Sequence, residues 1–96
     1  MSRVTEDEVA TAAETVLKGR TSRAATIKEL VAEIPNHIKL SGDDLKQSTT
    51  RPNEAIWEQQ VRNITSHKNS PGNAIFEGRL VPIPGGLALA TKLSDL

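Results

Sequence analysis

Apolar positions recur at helical spacing over three stretches of the chain and then give way to one short alternating stretch. Val9, Ala12, Ala13, Val16 and Leu17 make the first stripe, the pattern of a helix with one buried face. Thr5 and Glu8 carry the S/T-x-x-E spacing in which hydroxyl and carboxylate each accept a backbone N–H at a helix start, and Gly19 closes the run. A second, shorter helix is predicted where Thr26 and Glu29 repeat that spacing and Ile27, Leu30, Val31 and Ile34 form a stripe that ends at Pro35. The third helix is predicted over about residues 54–68, capped by Asn53 or Thr50. On it Ile56, Trp57, Val61 and Ile64 share one face, while Glu58, Gln59, Arg62, Ser66 and Asn69 lie on the other. The run Asn69-Ser-Pro-Gly-Asn73 stops it.

Between the second and third helices the periodicity breaks down, and residues 36–53 read as an ordered connector in which Ser41 caps one turn through Asp43 and Asp44. After the third helix, Leu80 and Val81 lead through Pro82 and Ile83 to Pro84-Gly85-Gly86 and on to Leu87, Ala88, Leu89 and Ala90. Pro84 and Gly85 suit the two central positions of a type II turn, which predicts a two-stranded hairpin with its prolines on a sheet edge. An isolated hairpin is marginal in water, so it is expected to pack on the helices and to pair with an extended piece near Arg23 to Ala25.

Ninety-six residues make one small domain, expected to span residues 1–96. No apolar run approaches the roughly 18 to 20 residues that cross a bilayer, and the opening MSRVTEDEVA is too acidic for a signal peptide. A cytoplasmic protein with no membrane partner is therefore expected, or a piece of one, and the ending TKLSDL fits a chain that continues. With no Cys, disulfides and thiolate metal sites are excluded. The formal net charge of zero argues against a strongly basic nucleic-acid binder. Its distribution is uneven, however: residues 59–73 hold Arg62, His67 and Lys68 with no acid, which predicts one positive face on a neutral molecule.

Three short helices followed by a hairpin is the element order of a winged helix-turn-helix domain. The expected fold is therefore α+β, a winged helix with a three-helix bundle and a C-terminal β-hairpin wing. Residues 51–90 also resemble the winged-helix domains attached to prokaryotic restriction endonucleases of the HNH and modification-dependent kinds. The resemblance rests on Trp57-Glu-Gln-Gln-Val-Arg62, Ser66-His67-Lys68, Gly72-Asn73 and Glu77-Gly78. It implies double-stranded DNA as partner, a third helix that reads the major groove, a wing beside the phosphates, and a fused or associated nuclease domain. The chain departs from such domains in its long connector and in a wing tip without Lys or Arg.

The candidate DNA-binding residues follow from that architecture. Gln59, Arg62, Asn63, Ser66 and Asn69 offer base-reading groups, since amides pair with the adenine edge and Arg with guanine. The competing reading is a solvated face with a Glu58–Arg62 pair. Thr50, Arg51 and Asn53, with Thr49, precede the helix, where hydroxyls, a guanidinium and free backbone donors could hold a phosphate; the competing reading is ordinary capping. His67, Lys68 and Arg79, with Lys92, are further phosphate candidates. Trp57 is read as core rather than a stacking platform, and Phe76 as a core residue at the wing root.

No catalytic residue, metal ligand or cofactor is expected. Two His without H-x-x-x-H spacing do not make a zinc site, and Ser66 beside His67 is only a sequence neighbour. Asp43 and Asp44 are read as partners of a helix macrodipole. The expected function is thus non-enzymatic DNA reading, extending to N6-methyladenine through apolar contact beside Ala55 or the Thr65 methyl. The alternatives are a winged-helix protein-interaction module and a small phage transcriptional regulator.

Overall fold

The computed structural model describes residues 4–47 and 54–90. They form α1 (Glu6–Lys18), β1 (Ala24–Thr26), α2 (Ile27–Glu33) running into a 3-10 turn (Ile34–Asn36), α3 (Ile56–Ser66), β2 (Leu80–Ile83) and β3 (Gly86–Leu89). This is a small α+β fold in which three helices pack with an antiparallel sheet of strand order β1-β3-β2. None of the described helices is long and apolar enough to cross a membrane.

Both expected capping boxes form. Thr5 Oγ1 accepts from the Glu8 N–H at 3.0 Å, and Glu8 Oε1 accepts from the Thr5 N–H at 2.8 Å. Thr26 and Glu29 repeat this at 3.1 and 2.8 Å. Each box stabilises its helix by about 1 kcal/mol. The α1 stripe is buried in full, and it meets Leu30, Ile34, Trp57, Val61, Ile64, Leu80 and Leu87 in one core. Trp57 is 4% exposed and belongs to that core. Phe76 does not. It is 52% exposed, because the loop after α3 turns tightly and presents Ala74, 2% exposed, to the core in its place.

The hairpin runs from Leu80↔Leu89 to Ile83↔Gly86, leaving Pro84 and Gly85 as the turn. Gly85 has φ +71° while the Pro84 ring holds its own φ negative, so the turn is of type II. The predicted extended piece is β1, which pairs with β3 through Ala24↔Ala88, Ala25↔Leu87 and Thr26↔Gly86. At this crossing the backbones approach closely. A Cβ on Gly86 would overlap the carbonyl oxygen of Ala25 and lie 2.7 Å from Thr26 Cα. The turn is also tied to α2, whose Ile27 N–H donates to the Gly85 carbonyl at 2.9 Å.

The outer edge of β2 offers little to another strand. Ile83↔Gly86 closes the hairpin, so Pro82 and Leu80 have their backbone nitrogens on the outer side. Pro82 has no N–H, and the Leu80 N–H already donates to Ala74 O at 3.3 Å.

Helix α3 is shorter than the expected 54–68, and its N-cap is Ala55. Asn53 and Thr50, the expected caps, lie outside the described residues. Ala55 has no side-chain acceptor, so only the reciprocal half of a box exists, with Glu58 Oε2 accepting from the Ala55 N–H at 3.2 Å. The expectation for Asp43 and Asp44 also needs correction. Ser41 does cap their segment, its Oγ accepting from the Asp44 N–H at 3.2 Å, but that segment is a hydrogen-bonded turn rather than a helix. Asp44 is 1% exposed, buried because its carboxylate binds backbone donors.

The Glu29 carboxyl sits below the ordinary glutamate value, first because the Thr26 N–H donates to it and next because the Arg20 guanidinium lies nearby. Depressed in the folded state, it contributes stability above the ordinary value that disappears as pH falls through the folded one.

The β1–β3 crossing sets a paired expectation for urea denaturation. Gly86→Ala is expected to lose about 3 kcal/mol or more, since backbone lies where the methyl must go. Gly42→Ala, where an added Cβ meets nothing within 4 Å, is expected to stay within about 1 kcal/mol of wild type. Equal midpoints for the two variants would show that the crossing is looser than described.

Candidate nucleic-acid interface

The start of α3 is built by the connector. Its first N–H groups have no partners within the helix. The Ile56 N–H donates to Lys46 O at 2.8 Å, and the Trp57 N–H donates to Asp44 O at 3.1 Å. Gln47 and Ala55 add a β-bridge between the same segments. These carbonyls occupy the donors that were expected to hold a phosphate at the helix terminus, so that part of the expectation is corrected. The side chains named with it, Thr49, Thr50, Arg51 and Asn53, lie outside the described residues, as does Lys92.

The far end of α3 is fixed to α1 by Asn73. This amide is 4% exposed. Its Nδ2 donates to Ile64 O at 2.8 Å and to Glu6 Oε2 at 3.0 Å, while its Oδ1 accepts from the N–H groups of Ile75 and Phe76 at 2.8 and 3.1 Å. The loop from 67 to 79 is thereby closed against the helix it follows.

Between these fixed ends, the exposed side of α3 meets the hairpin turn. Arg62, Thr65 and Ser66 line an open cleft of about 290 Å³ with Ile27, Ile83, Gly85 and Gly86. Arg62 also borders a neighbouring hollow of about 350 Å³, with Ile27, Lys28, Val31, Glu54 and Glu58. A guanidinium, two hydroxyls and an apolar floor thus stand at one place beside the turn. Gln59 and Asn63 are half-buried on the same helix. Asn63 Nδ2 donates to Gln60 Oε1 at 3.3 Å, and Ser66 Oγ donates back to Arg62 O at 3.4 Å.

The other candidates do not join this cleft. His67 lines a separate hollow with Thr5, Glu6 and Asp7. Arg79 stands at the hairpin root, in a third hollow with Glu14, Lys18 and Arg23. Lys68 and Asn69 are exposed beyond the end of α3.

Nor is the expected positive face left uncompensated. Arg62 Nε donates to Glu54 Oε2 at 2.7 Å, so the Glu58–Arg62 pair of the competing reading is replaced by one with a residue ahead of the helix. Glu58 is occupied by the Ala55 N–H. His67 Nδ1 lies 2.6 Å from Glu6 Oε1. Arg79 Nη2 donates to Asp7 Oδ1 at 2.5 Å, and its Nη1 makes an ionic contact with Glu14 at 3.0 Å. Acids absent from residues 59–73 are supplied by α1 and by Glu54. Of Arg62, His67 and Lys68, Lys68 alone has no carboxylate partner among the described residues.

Sequence reasoning missed Ile27, Lys28 and Glu54 as neighbours of Arg62. Ile27 and Lys28 come from another helix, and Glu54 stands eight residues ahead of Arg62, outside the spacing at which helical side chains meet. Among the described residues, no group of three or more His, Asp or Glu is placed to hold a metal ion. Compared with protein-family models, with curated proteins and with solved structures, the chain matches none.

The Asn73 bonds predict a measurable loss. Asn73→Ala removes the partner of Ile64 O and of two loop N–H groups, and each unsatisfied buried group costs about 1 to 3 kcal/mol. Chemical denaturation is expected to show at least about 2 kcal/mol of destabilisation, and a wild-type midpoint would mean that water replaces the amide.

Proposed function

We propose that the chain is a winged helix-turn-helix domain that binds double-stranded DNA, with α3 in the major groove and the β2–β3 hairpin as the wing. The observation that carries this reading is the cleft in which Arg62, Thr65 and Ser66 of α3 meet the hairpin turn. Base-reading groups and wing tip form one surface there, as such a domain requires. The order of elements and the strand order β1-β3-β2 support it. The resemblance of residues 51–90 supports a place as the DNA-reading module of a prokaryotic restriction enzyme, with cleavage carried by a separate nuclease domain.

The narrower reading is preference for N6-methyladenine. In its favour, Thr65 lines the cleft with Ile27 and Ile83, an apolar lining fit for a methyl group that projects from the adenine edge. Ala55, by contrast, belongs to a different hollow with Leu45, Gln47 and Glu54.

A protein-interaction role is the second reading. Phe76 and Val81 support it, since they are 52% and 43% exposed at the root of the hairpin. A duplex-binding titration at several salt concentrations separates the two, because only phosphate contact releases counterions.

Few cations near α3 lack an acid partner, so the expected slope of log affinity against log salt is about −2 to −4, corresponding to two to four phosphates. No salt-dependent binding to any duplex would remove the DNA reading. Gln59→Ala and Arg62→Ala are expected to weaken a selected site by about 1 to 3 kcal/mol more than random duplex. Lys68→Ala is expected to weaken both alike. For methylation, burial of one methyl corresponds to about fourfold tighter binding of the modified duplex in a matched competition. A ratio of one or below would leave a reader of plain adenine.

A further inference from the structure

DNA reading gives Arg62 a task, and the structure sets an acid against it. Glu54 stands two residues ahead of the helix, and its side chain is 16% exposed against 41% for Arg62. Its Oε2 accepts from Arg62 Nε at 2.7 Å. The Nη1 and Nη2 groups of Arg62 make no hydrogen bond among the described residues. A guanidinium presents five N–H donors in one plane. Holding it at Nε fixes that plane and leaves the Nη1–Nη2 edge, whose two parallel donors match the O6 and N7 acceptors of guanine.

Neither stability nor general attraction to DNA accounts for this pair. A partly exposed ion pair adds little to stability. The two residues are not helical neighbours, so the contact does not serve to extend α3. A site that only attracts phosphate gains nothing from a carboxylate beside its arginine, because the acid repels every duplex equally. A site that reads a base does gain, because an arginine held in place loses less side-chain freedom on binding.

We infer that Glu54 is a positioning residue for Arg62, fixing its guanidinium so that the cleft reads guanine. The inference rests on the DNA reading proposed above. Lys28 and Glu58 are the other charged groups that border the hollow beside Arg62. Lys28 is itself a cation and Glu58 is engaged by the Ala55 N–H, so the orientation is set by Glu54.

The test uses the full chain. Selection from random duplexes gives the preferred site. Competition titrations then compare guanine with 7-deazaguanine, which lacks the N7 acceptor, at each guanine of that site. Wild type is expected to favour guanine about fivefold or more at one position, and Arg62→Ala to bring that ratio to one. Glu54→Ala is expected to lower the ratio by about two- to fourfold, short of the complete loss in Arg62→Ala, the cost of ordering a side chain no longer held. Its affinity for random duplex is expected to stay level or rise. Glu54→Gln keeps an oxygen for Nε and is expected to keep most of the discrimination.

An unchanged ratio in Glu54→Ala overturns the inference and leaves DNA reading intact, as does a uniform loss on every duplex. Wild type that binds no duplex removes the DNA reading and the inference together. A second measurement needs neither DNA nor a folded variant. The Arg62 Nε–H resonance of the free wild-type protein is expected to be resolved and slow to exchange, and an averaged, fast-exchanging signal overturns the inference.

Discussion

Asp44 joins three parts of the chain, its buried carboxylate holding Val4 to the Ser41 turn and its carbonyl holding the start of α3. One oxygen accepts from the Val4 N–H at 2.9 Å, and the other accepts from the N–H and hydroxyl of Ser41 at 2.8 and 3.0 Å. A carboxylate withdrawn from water costs several kcal/mol unless its oxygens are filled, and here backbone donors fill them. Because Asp44 is held, its own carbonyl is held too, and that carbonyl receives the Trp57 N–H. The first turn of α3 is therefore set by a residue about a dozen positions earlier. Trp57 enters the core from that turn, and the cleft beside Arg62 stands on the opposite side of the same helix.

Folding also redistributes charge in a way that bears on the proposed partner. Along the chain, acids gather in α1 and cations in residues 59–73. In space, the N-terminal acids of α1 come to lie against His67 and Arg79, and Glu54 comes to lie against Arg62. The arginine–carboxylate pairs among these weaken the general attraction to nucleic acid on which non-specific affinity depends. Under the DNA reading proposed above, such a surface would rely on shape and directed hydrogen bonds more than on charge, which would suit a module that must ignore most of the DNA it meets.

How far this was legible in the sequence depended on the range of each interaction. The capping boxes at Thr5 and Thr26, the stop at Gly19 and the turn at Pro84-Gly85 are set by neighbours within four residues, and they stand where the pattern put them. The pairing of β1 with β3 was legible because an isolated hairpin needs company and only one extended piece was on offer. Asp44, Glu54, Glu6 and Asn73 were not legible in their roles. Beside any local bonds, each has a partner between 8 and 67 residues away, and no periodicity connects residues so far apart. The exposure of Phe76 was hidden for a similar reason, since it depends on how Asn73 folds the loop.

The bond from the Ile27 N–H to the Gly85 carbonyl limits what this fold can become. The hairpin tip is at once a turn and the acceptor for the first donor of α2, and Gly86 is pressed against β1 beside it. An insertion at the tip, the commonest way for a hairpin to grow, would unhook α2 and part the β1–β3 crossing. Variation in this architecture is therefore channelled away from the hairpin and toward the connector, where residues can be added between the end of α2 and Ser41 without disturbing a bond on which α3 depends. Lineages of this fold should diverge in connector length while keeping a hairpin of fixed reach.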